Sequence, residues 1–345
     1  MSAQERQESV TPPLQDTLVG DLIEADDPHE EGPPDDDSVY AVSENSASYQ
    51  TSLASSIINY KYENGRRYHA FRAGTYILPN DETEQDRMDL VHHVYGLLLD
   101  GELCRAPIPD NPQRVLDLGT GTGIWAMDFA DEYPSAEVIG TDLSPIQPEW
   151  TPPNCIFEVD DFETDWLYTK PFDFIHAREI EGCISDGDRL FHRAFQHLKP
   201  GGYIEFQAAY PRWLSDDGTA EKAKNAQGWL KVLIDGSIKL GKPLEVAVDW
   251  KEKMEKAGFV DVREEVRKMP IGAWPKDPKL KEIGRYQLTQ QIEAVESYTP
   301  RIFSTVMNWG EEELQVYVAK VKKELRDPSI HLYVPIYFVW GKKPA

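Results

Sequence analysis

The sequence has few cysteines, no long apolar run and no cluster of basic residues. Its three cysteines lie far apart and form no C-x-x-C pair, so the sequence predicts neither a disulfide framework nor a metal site. A membrane-spanning helix needs about 18 consecutive apolar residues, and no such run occurs. The 60 acidic residues outnumber the 36 lysines and arginines. That balance argues against direct nucleic-acid binding, because phosphate contacts need clustered basic side chains.

The N-terminal stretch carries half of the net charge of −24, because thirteen acids in residues 1–50 face a single base, Arg6. This stretch is also rich in proline and poor in large apolar residues. It cannot bury enough surface to offset the entropy of ordering, so we expect a disordered acidic tail over residues 1–48. The tail is interpreted as a solvated segment, or alternatively as a docking segment for a basic partner. Its first ten residues show no secretory signal, and we expect the protein in the cytoplasm, the nucleus or both.

The segment RVLDLGTGTG at residues 114–123 predicts a buried strand that ends in a glycine loop. The glycines of this loop allow a sharp turn and a close approach to a ligand; they are Gly119, Gly121 and Gly123. A helix is predicted from residue 124, and a second parallel strand over residues 137–141 ends at Asp142. An acid in that position accepts the two hydroxyl groups of a ribose, so the unit is predicted to bind an adenosine-like ligand.

The spacing of the glycines indicates which adenosine ligand binds. Dinucleotide folds have the pattern G-x-G-x-x-G, whereas here the third glycine comes one residue early, which disfavours an NAD-dependent dehydrogenase. Asp117 lies in the approach to the loop and suits a ligand with an ammonium group rather than phosphates. These features predict S-adenosylmethionine as the cofactor.

The following segments continue the same pattern. A third strand over residues 154–159 precedes Asp161 and Phe162, whose carboxylate and backbone N–H are predicted to contact an adenine ring. A fourth strand (172–176), a helix (188–198), the turn LKPGG and a fifth strand (203–207) then follow. This order resembles the class I methyltransferases over residues 110–265. The resemblance implies a Rossmann-like α/β fold with a seven-stranded, mostly parallel sheet and helices on both faces.

The remaining segments complete the predicted domain organisation. The strand at 259–267 is expected to pair antiparallel with the last strand, 332–341, within a methyltransferase domain of residues 109–345. A helical insertion over about 278–326 is expected to form part of a lid. Residues 49–108 are predicted to be an N-terminal helical cap, in which Tyr68 and Arg72 face the methionine end of the cofactor. Packing of the aromatics on the core, with arginines in water, explains this cap segment equally well.

His176 is the candidate catalytic base, since the prediction places it at the carboxyl end of the fourth strand, where substrates of open α/β sheets bind. Arg178 and Glu179 lie beside it. The alternative is a packed, hydrogen-bonded histidine. Three aromatics, Tyr210, Trp213 and Trp274, are weaker candidates for lining the pocket.

From about residue 50 to the C-terminus, the sequence resembles the fungal LaeA-like methyltransferases. The resemblance is carried by YHAFRAGTYILPNDETEQDRMDL, by the glycine-loop region, by FIHAR at 174–178 and by VPIYFVWGKKP near the C-terminus. It implies a methyltransferase of fungal secondary metabolism acting on a small metabolite or a protein. The alternative is a regulatory, methyltransferase-like subunit that works through nuclear partners of the velvet type.

Overall fold

The computed structural model describes residues 22–26, 60–63, 65–69, 71–72 and 78–345. Two short strands, β1 (Lys61–Glu63) and β2 (Arg66–Tyr68), form an antiparallel hairpin. The other strands belong to one sheet: β3 (Arg114–Leu118), β4 (Glu137–Asp142), β5 (Cys155–Val159), β6 (Phe172–Arg178), β7 (Leu198–Ala209), β8 (Val260–Pro270) and β9 (Tyr333–Lys342). The helices around it are α1 (Glu82–Leu98), α2 (Ile124–Glu132), α3 (Gly187–His197), α4 (Lys224–Lys239), α5 (Trp250–Ala257), α6 (Pro278–Thr299) and α7 (Glu311–Leu325).

The seven-stranded sheet has the order β5-β4-β3-β6-β7-β9-β8. The five strands from β5 to β7 are parallel, whereas β9 runs antiparallel to both β7 and β8. The predicted sheet and its antiparallel closing pair are therefore confirmed. The chain order reverses between β3 and β6, and the carboxyl ends of these two strands open a crevice in which ligands of such sheets bind.

Local sequence explains why these elements form. Strand β3 is buried along Val115–Leu118, as expected for a parallel strand covered on both faces. Helix α3 turns Leu190, Phe191 and Ala194 toward the core, and Asp186 caps its first turn by accepting from the Arg189 N–H at 2.9 Å. The sheet is thereby sandwiched between helices, and its carboxyl edge is left for the site.

Helices also cover the carboxyl edge of the sheet. Helix α6 ends at Thr299, a π-helical turn spans Pro300–Val306, and α7 follows. The β1–β2 hairpin is fastened beside them, because Arg66 forms an ion pair with Asp81 at 2.6 Å and hydrogen bonds with Ser297. Among the described residues, no helix has the length and apolarity needed to cross a membrane.

One segment of the acidic N-terminal stretch differs from the prediction. Residues 22–26 lie against the body of the protein, with an antiparallel bridge between Ala25 and Pro275. The backbone N–H of Asp26 donates to Trp274 at 2.8 Å, and Glu24 forms an ion pair with Lys276 at 3.2 Å. The prediction of disorder is wrong for these five residues, because local backbone pairing and lysines offset the ordering entropy. The rest of residues 1–48 lies outside the described part.

Two glycines inside helices, one in a close contact and one beside open space, test how the helices pack. A Cβ on Gly284 in α6 would lie 2.0 Å from the carbonyl oxygen of Gly272, whereas a Cβ on Gly96 in α1 would meet nothing within 4 Å. We expect Gly284→Ala to lower the free energy of unfolding by about 2 kcal/mol or more, because backbone would have to move. Gly96→Ala should raise it by about 0.5–1 kcal/mol. Urea unfolding of both variants measures this, and equal effects would contradict the packing.

Candidate active site

The glycine loop at the end of β3 is shaped by close contacts that leave no room for side chains. Gly119 has φ +66°, and a Cβ there would lie 2.7 Å from the Ile180 side chain. Gly123 has φ +83°, and a Cβ there would lie 2.3 Å from the ring of Phe157. Both positions therefore need glycine, since they combine a left-handed backbone with contact on the side of the missing Cβ. The loop forms one wall of a cleft at the carboxyl edge of the sheet.

Asp142 is held against this loop at the end of β4. Its carboxylate accepts hydrogen bonds from the backbone N–H of Gly121 at 2.9 Å and from that of Ser144 at 2.8 Å. Burial raises the pKa of Asp142 to about 6, although these backbone donors act in the opposite direction. The side chain lines the cleft, as predicted, and its position is fixed before a ligand arrives.

Asp117 and His176 form a buried pair beneath the loop. The Asp117 carboxylate lies 2.8 Å from Nδ1 of His176 and accepts a hydrogen bond from the Thr120 hydroxyl at 2.6 Å. The His176 ring is stacked on Trp125, with ring centres 3.6 Å apart and an angle of 6° between the planes. Both oxygens of Asp117 are thus engaged within the protein, and its direct contact with an ammonium group stays a prediction.

The position of His176 differs from the prediction. Strand β6 extends to Arg178, so His176 lies inside the strand, in register with Asp117, and not at its carboxyl end. The side chain is completely buried, and this burial lowers its pKa to about 4. The ring is therefore neutral at pH 7 and must carry its proton on Nδ1 to donate to Asp117. His176 nevertheless lines the cleft, as do Glu179 and Glu181, which follow the end of the strand.

The lining of the cleft also includes Asp161 and Phe162, just beyond β5. The Phe162 ring lies beside the position that a Cβ on Gly119 would take, at 3.8 Å. The Asp161 carboxylate forms an ion pair with Arg72 at 2.7 Å. Arg72 therefore contacts the predicted adenine-binding acid, and its expected place at the methionine end stays a prediction.

Tyr68, the other residue predicted to face the methionine end of the cofactor, packs inside the protein. Its side chain is buried, and the guanidinium group of Arg301 covers its ring at 4.9 Å. Within the described residues, the wall of the cleft does not include Tyr68. Its burial agrees with the alternative weighed from the sequence, in which the aromatics of this segment pack on the core. The weaker aromatic candidates are likewise packed away from the cleft: Tyr210 on Tyr337, Trp213 on Trp229 and Trp274 on His331.

We use the name second chamber for the part of the same cleft that is lined by residues outside the cofactor-binding motifs, and sequence reasoning missed part of it. Its apolar wall comes from several elements and comprises Met88, Val91, Leu233, Leu244 and Ile302. Its polar side chains include Arg87, Glu179, Glu181 and Tyr298. Glu179 had a sequence signal in its place after the fourth strand, and Tyr298 and Ile302 lie in the insertion that was expected to form part of a lid. The others come from helices and loops far apart in the chain, which no local pattern connects.

Three features fit an adenosyl ligand without phosphates: the glycine loop that lacks Cβ atoms, the fixed acid at the end of β4 and the acid after β5. The fold and this site define a class I methyltransferase that uses S-adenosyl-L-methionine.

Comparisons with known proteins agree with this assignment. The profile of the family described as "Methyltransferase domain" matches residues 90–264. "Methyltransferase pytC" of Aspergillus terreus is 40% identical over 295 residues, covering 85% of this chain and 91% of that protein. "Secondary metabolism regulator LAE1" of Cochliobolus heterostrophus is 37% identical, covering 82% and 94%. The chain therefore belongs to the LaeA-like fungal methyltransferases.

Among solved structures, a Haemonchus contortus phosphoethanolamine N-methyltransferase in complex with phosphomonomethylethanolamine and S-adenosylhomocysteine is similar to this chain. It is 21% identical, with a TM-score of 0.42, and the match covers 74% of this chain and 53% of that one.

The buried pair gives a prediction that needs no substrate. Because burial lowers the pKa of His176 to about 4, its ring should stay neutral from pH 7 down to about pH 5. A ring whose pKa is lowered by folding destabilises the protein as pH falls below 6.5, the ordinary value, towards the lowered one. NMR of ¹³C-labelled histidines over this range measures the charge, and His176→Gln assigns the signal. A His176 signal that titrates near pH 6.5 would contradict the geometry.

Proposed function

We propose that this protein methylates a small metabolite or a protein side chain in fungal secondary metabolism. The observation that carries the proposal is the second chamber, since this part of the cleft offers a substrate apolar side chains together with the carboxyl groups of Glu179 and Glu181. Two relatives support the setting in secondary metabolism. One is named "Methyltransferase pytC" and the other "Secondary metabolism regulator LAE1".

The residues around the cleft are assigned to parts of the cofactor. Asp142 accepts hydrogen bonds from the ribose hydroxyls, while the Asp161 carboxylate and the Phe162 N–H face the adenine ring. Gly119, Gly121 and Gly123 let the backbone approach the ligand, and Asp117 adds negative charge near its ammonium group. Bound there, S-adenosylmethionine supplies a methyl group on a positively charged sulfur.

We infer a positioning role for His176. A neutral, completely buried ring that donates to Asp117 and stacks on Trp125 fixes the acid below the loop. The earlier hypothesis that His176 is the catalytic base requires its ring to reach the substrate. The two roles are separable, because a positioning residue changes cofactor affinity, whereas a base changes turnover at an unchanged affinity.

A second candidate function is a regulatory subunit that controls secondary-metabolite genes through nuclear partners of the velvet type. The relative named "Secondary metabolism regulator LAE1" and the acidic N-terminal stretch favour it. Placement in the cytoplasm, the nucleus or both is part of the same proposal. Restoring a deletion strain with Asp142→Ala separates the alternatives, because a subunit that does not need the cofactor would restore the phenotype.

The assignment of Asp142 predicts how cofactor affinity responds to mutation and pH. Asp142→Ala should weaken binding by about 2–4 kcal/mol, since two hydroxyl groups lose a charged acceptor. In the unmodified protein, affinity should be constant above about pH 6 and should fall below it, because the pKa of Asp142 is about 6 and the protonated acid is a poor acceptor. Isothermal titration with S-adenosylmethionine measures both effects.

The matched control is Glu137→Gln, which changes an exposed acid at the opposite end of the same strand. It should leave the affinity and its pH dependence unchanged. An unaltered affinity in Asp142→Ala would show that the ribose lies elsewhere. Affinity for NAD equal to that for S-adenosylmethionine would contradict the cofactor assignment.

A further inference from the structure

We propose that the methyl acceptor is an apolar molecule with an amine, whose nitrogen binds between the carboxyl groups of Glu179 and Glu181. This inference rests on the methyltransferase function proposed above and identifies the class of substrate. It is carried by the arrangement of the two acids where the second chamber meets the end of β6.

Glu179 is the first residue after β6 and is held rigidly. Its backbone is in the left-handed region with φ +54°, which is unusual for a residue other than glycine and is often found at functional sites. Its N–H donates to the Gln207 carbonyl at 2.9 Å. One oxygen of its carboxylate accepts from the Ala209 N–H at 2.9 Å and from the Tyr95 hydroxyl. The acid is therefore directed by its neighbours and not by solvent.

Glu181 is the less satisfied member of the pair. Its Oε2 atom is buried and makes no hydrogen bond with any described residue. Burial, the charge of Glu179 and a hydrogen bond with Glu179 raise the pKa of Glu181 well above its ordinary value. In the proposed site Glu181 therefore holds a proton when no ligand is bound, as one member of a close acid pair does. An unpaired buried acceptor is costly, and a ligand N–H that donates to it removes this cost.

Two cations that line the chamber are already paired with other acids. Arg87 on α1 forms an ion pair with Glu84 at 2.7 Å. Lys242 forms one with Glu163 at 2.9 Å. Their charges are therefore largely offset before a substrate enters.

Arg178 is bound differently, because among the described residues it forms no ion pair and instead contacts an amide and an aromatic ring. It donates to the side-chain oxygen of Gln207 at 2.8 Å and lies 4.6 Å from the centre of the Tyr95 ring. Burial raises the pKa values of Tyr95 and Tyr298, so both phenols are neutral at pH 7. The charge of Arg178 interacts with several buried acids, namely Asp117, Glu179 and Glu205. An ammonium group that replaces the proton on Glu181 leaves the net charge of the site unchanged, whereas a neutral acceptor does not replace that proton.

The methyl-transfer step balances with these groups alone. The bound ammonium gives one proton to the Glu181 carboxylate, and the freed nitrogen lone pair forms the N–CH₃ bond. The S–CH₃ bond breaks with its electron pair remaining on sulfur. The product nitrogen is positively charged and the cofactor product is a neutral thioether. A thioether acceptor has no proton to lose and would make no use of the pair.

The test compares acceptors that differ only in the reacting group. Enzyme saturated with S-adenosylhomocysteine is titrated at pH 7 with hexylamine, 2-phenylethylamine and tryptamine, each beside the alcohol and the methyl thioether of the same skeleton. At least one amine should bind roughly tenfold or more tightly than its alcohol, since it forms charged hydrogen bonds. Repeating the titration in phosphate and in Tris, which differ in ionisation enthalpy, should show release of about one proton per amine bound.

Glu181→Gln should abolish the proton release and the preference for amines. It should also remove the infrared band of a buried protonated carboxyl group from the ligand-free enzyme, a readout independent of turnover. The matched control is Glu264→Gln, which changes an exposed acid on β8 and should alter neither.

Each outcome has a separate meaning. Failure to bind S-adenosylhomocysteine would overturn the proposed function. If S-adenosylhomocysteine binds but no amine binds more tightly than its alcohol and thioether, only the amine inference is overturned. Proton release that persists in Glu181→Gln would also overturn it, because another group would then hold the proton.

Discussion

The hydrogen bond between Asp117 and His176 joins the two strands whose carboxyl ends form the cleft. The distance from Nδ1 of His176 to the Asp117 carboxylate is 2.8 Å, and both side chains are buried. A hydrogen bond in such an environment is strong, and its loss costs stability. Thr120 connects the same carboxylate to the glycine loop, and Trp125 covers the histidine from the first turn of α2. Loop, helix and both central strands thus share one anchor, and the positions of the cofactor-binding groups depend on it.

Local sequence patterns were sufficient for the sheet and for the cofactor half of the site. The glycine loop and Asp142 lie within about thirty residues of each other, so one strand–loop–helix–strand unit determines their geometry. The antiparallel pairing of β8 with β9 also followed from two alternating segments. These features depend on near neighbours in sequence or on the general rules for parallel sheets.

Features formed by distant segments were predicted poorly. His176 was predicted at the strand end but lies inside the strand, because periodicity does not show where a buried strand stops. Arg72 and Tyr68 were assigned by residue type, yet their partners, Asp161 and Arg301, are 89 and 233 positions away. Glu181 had no signal, since its environment exists only once helices α1 and α6 close over the sheet. The prediction of a disordered tail used the average composition of fifty residues. It therefore missed residues 22–26, which bind to the body of the protein through ion pairs of Glu24 and Asp26.

Arg72 and the cofactor compete for the carboxylate of Asp161. If Asp161 receives the adenine amino group, the guanidinium occupies the same carboxylate in the absence of ligand. The measured affinity is then the intrinsic affinity multiplied by the fraction of molecules in which this contact is open. The arginine side chain is nearly half exposed, so ionic strength alters that fraction without touching the cofactor. Salt thereby changes the measured cofactor affinity through its effect on the ligand-free protein.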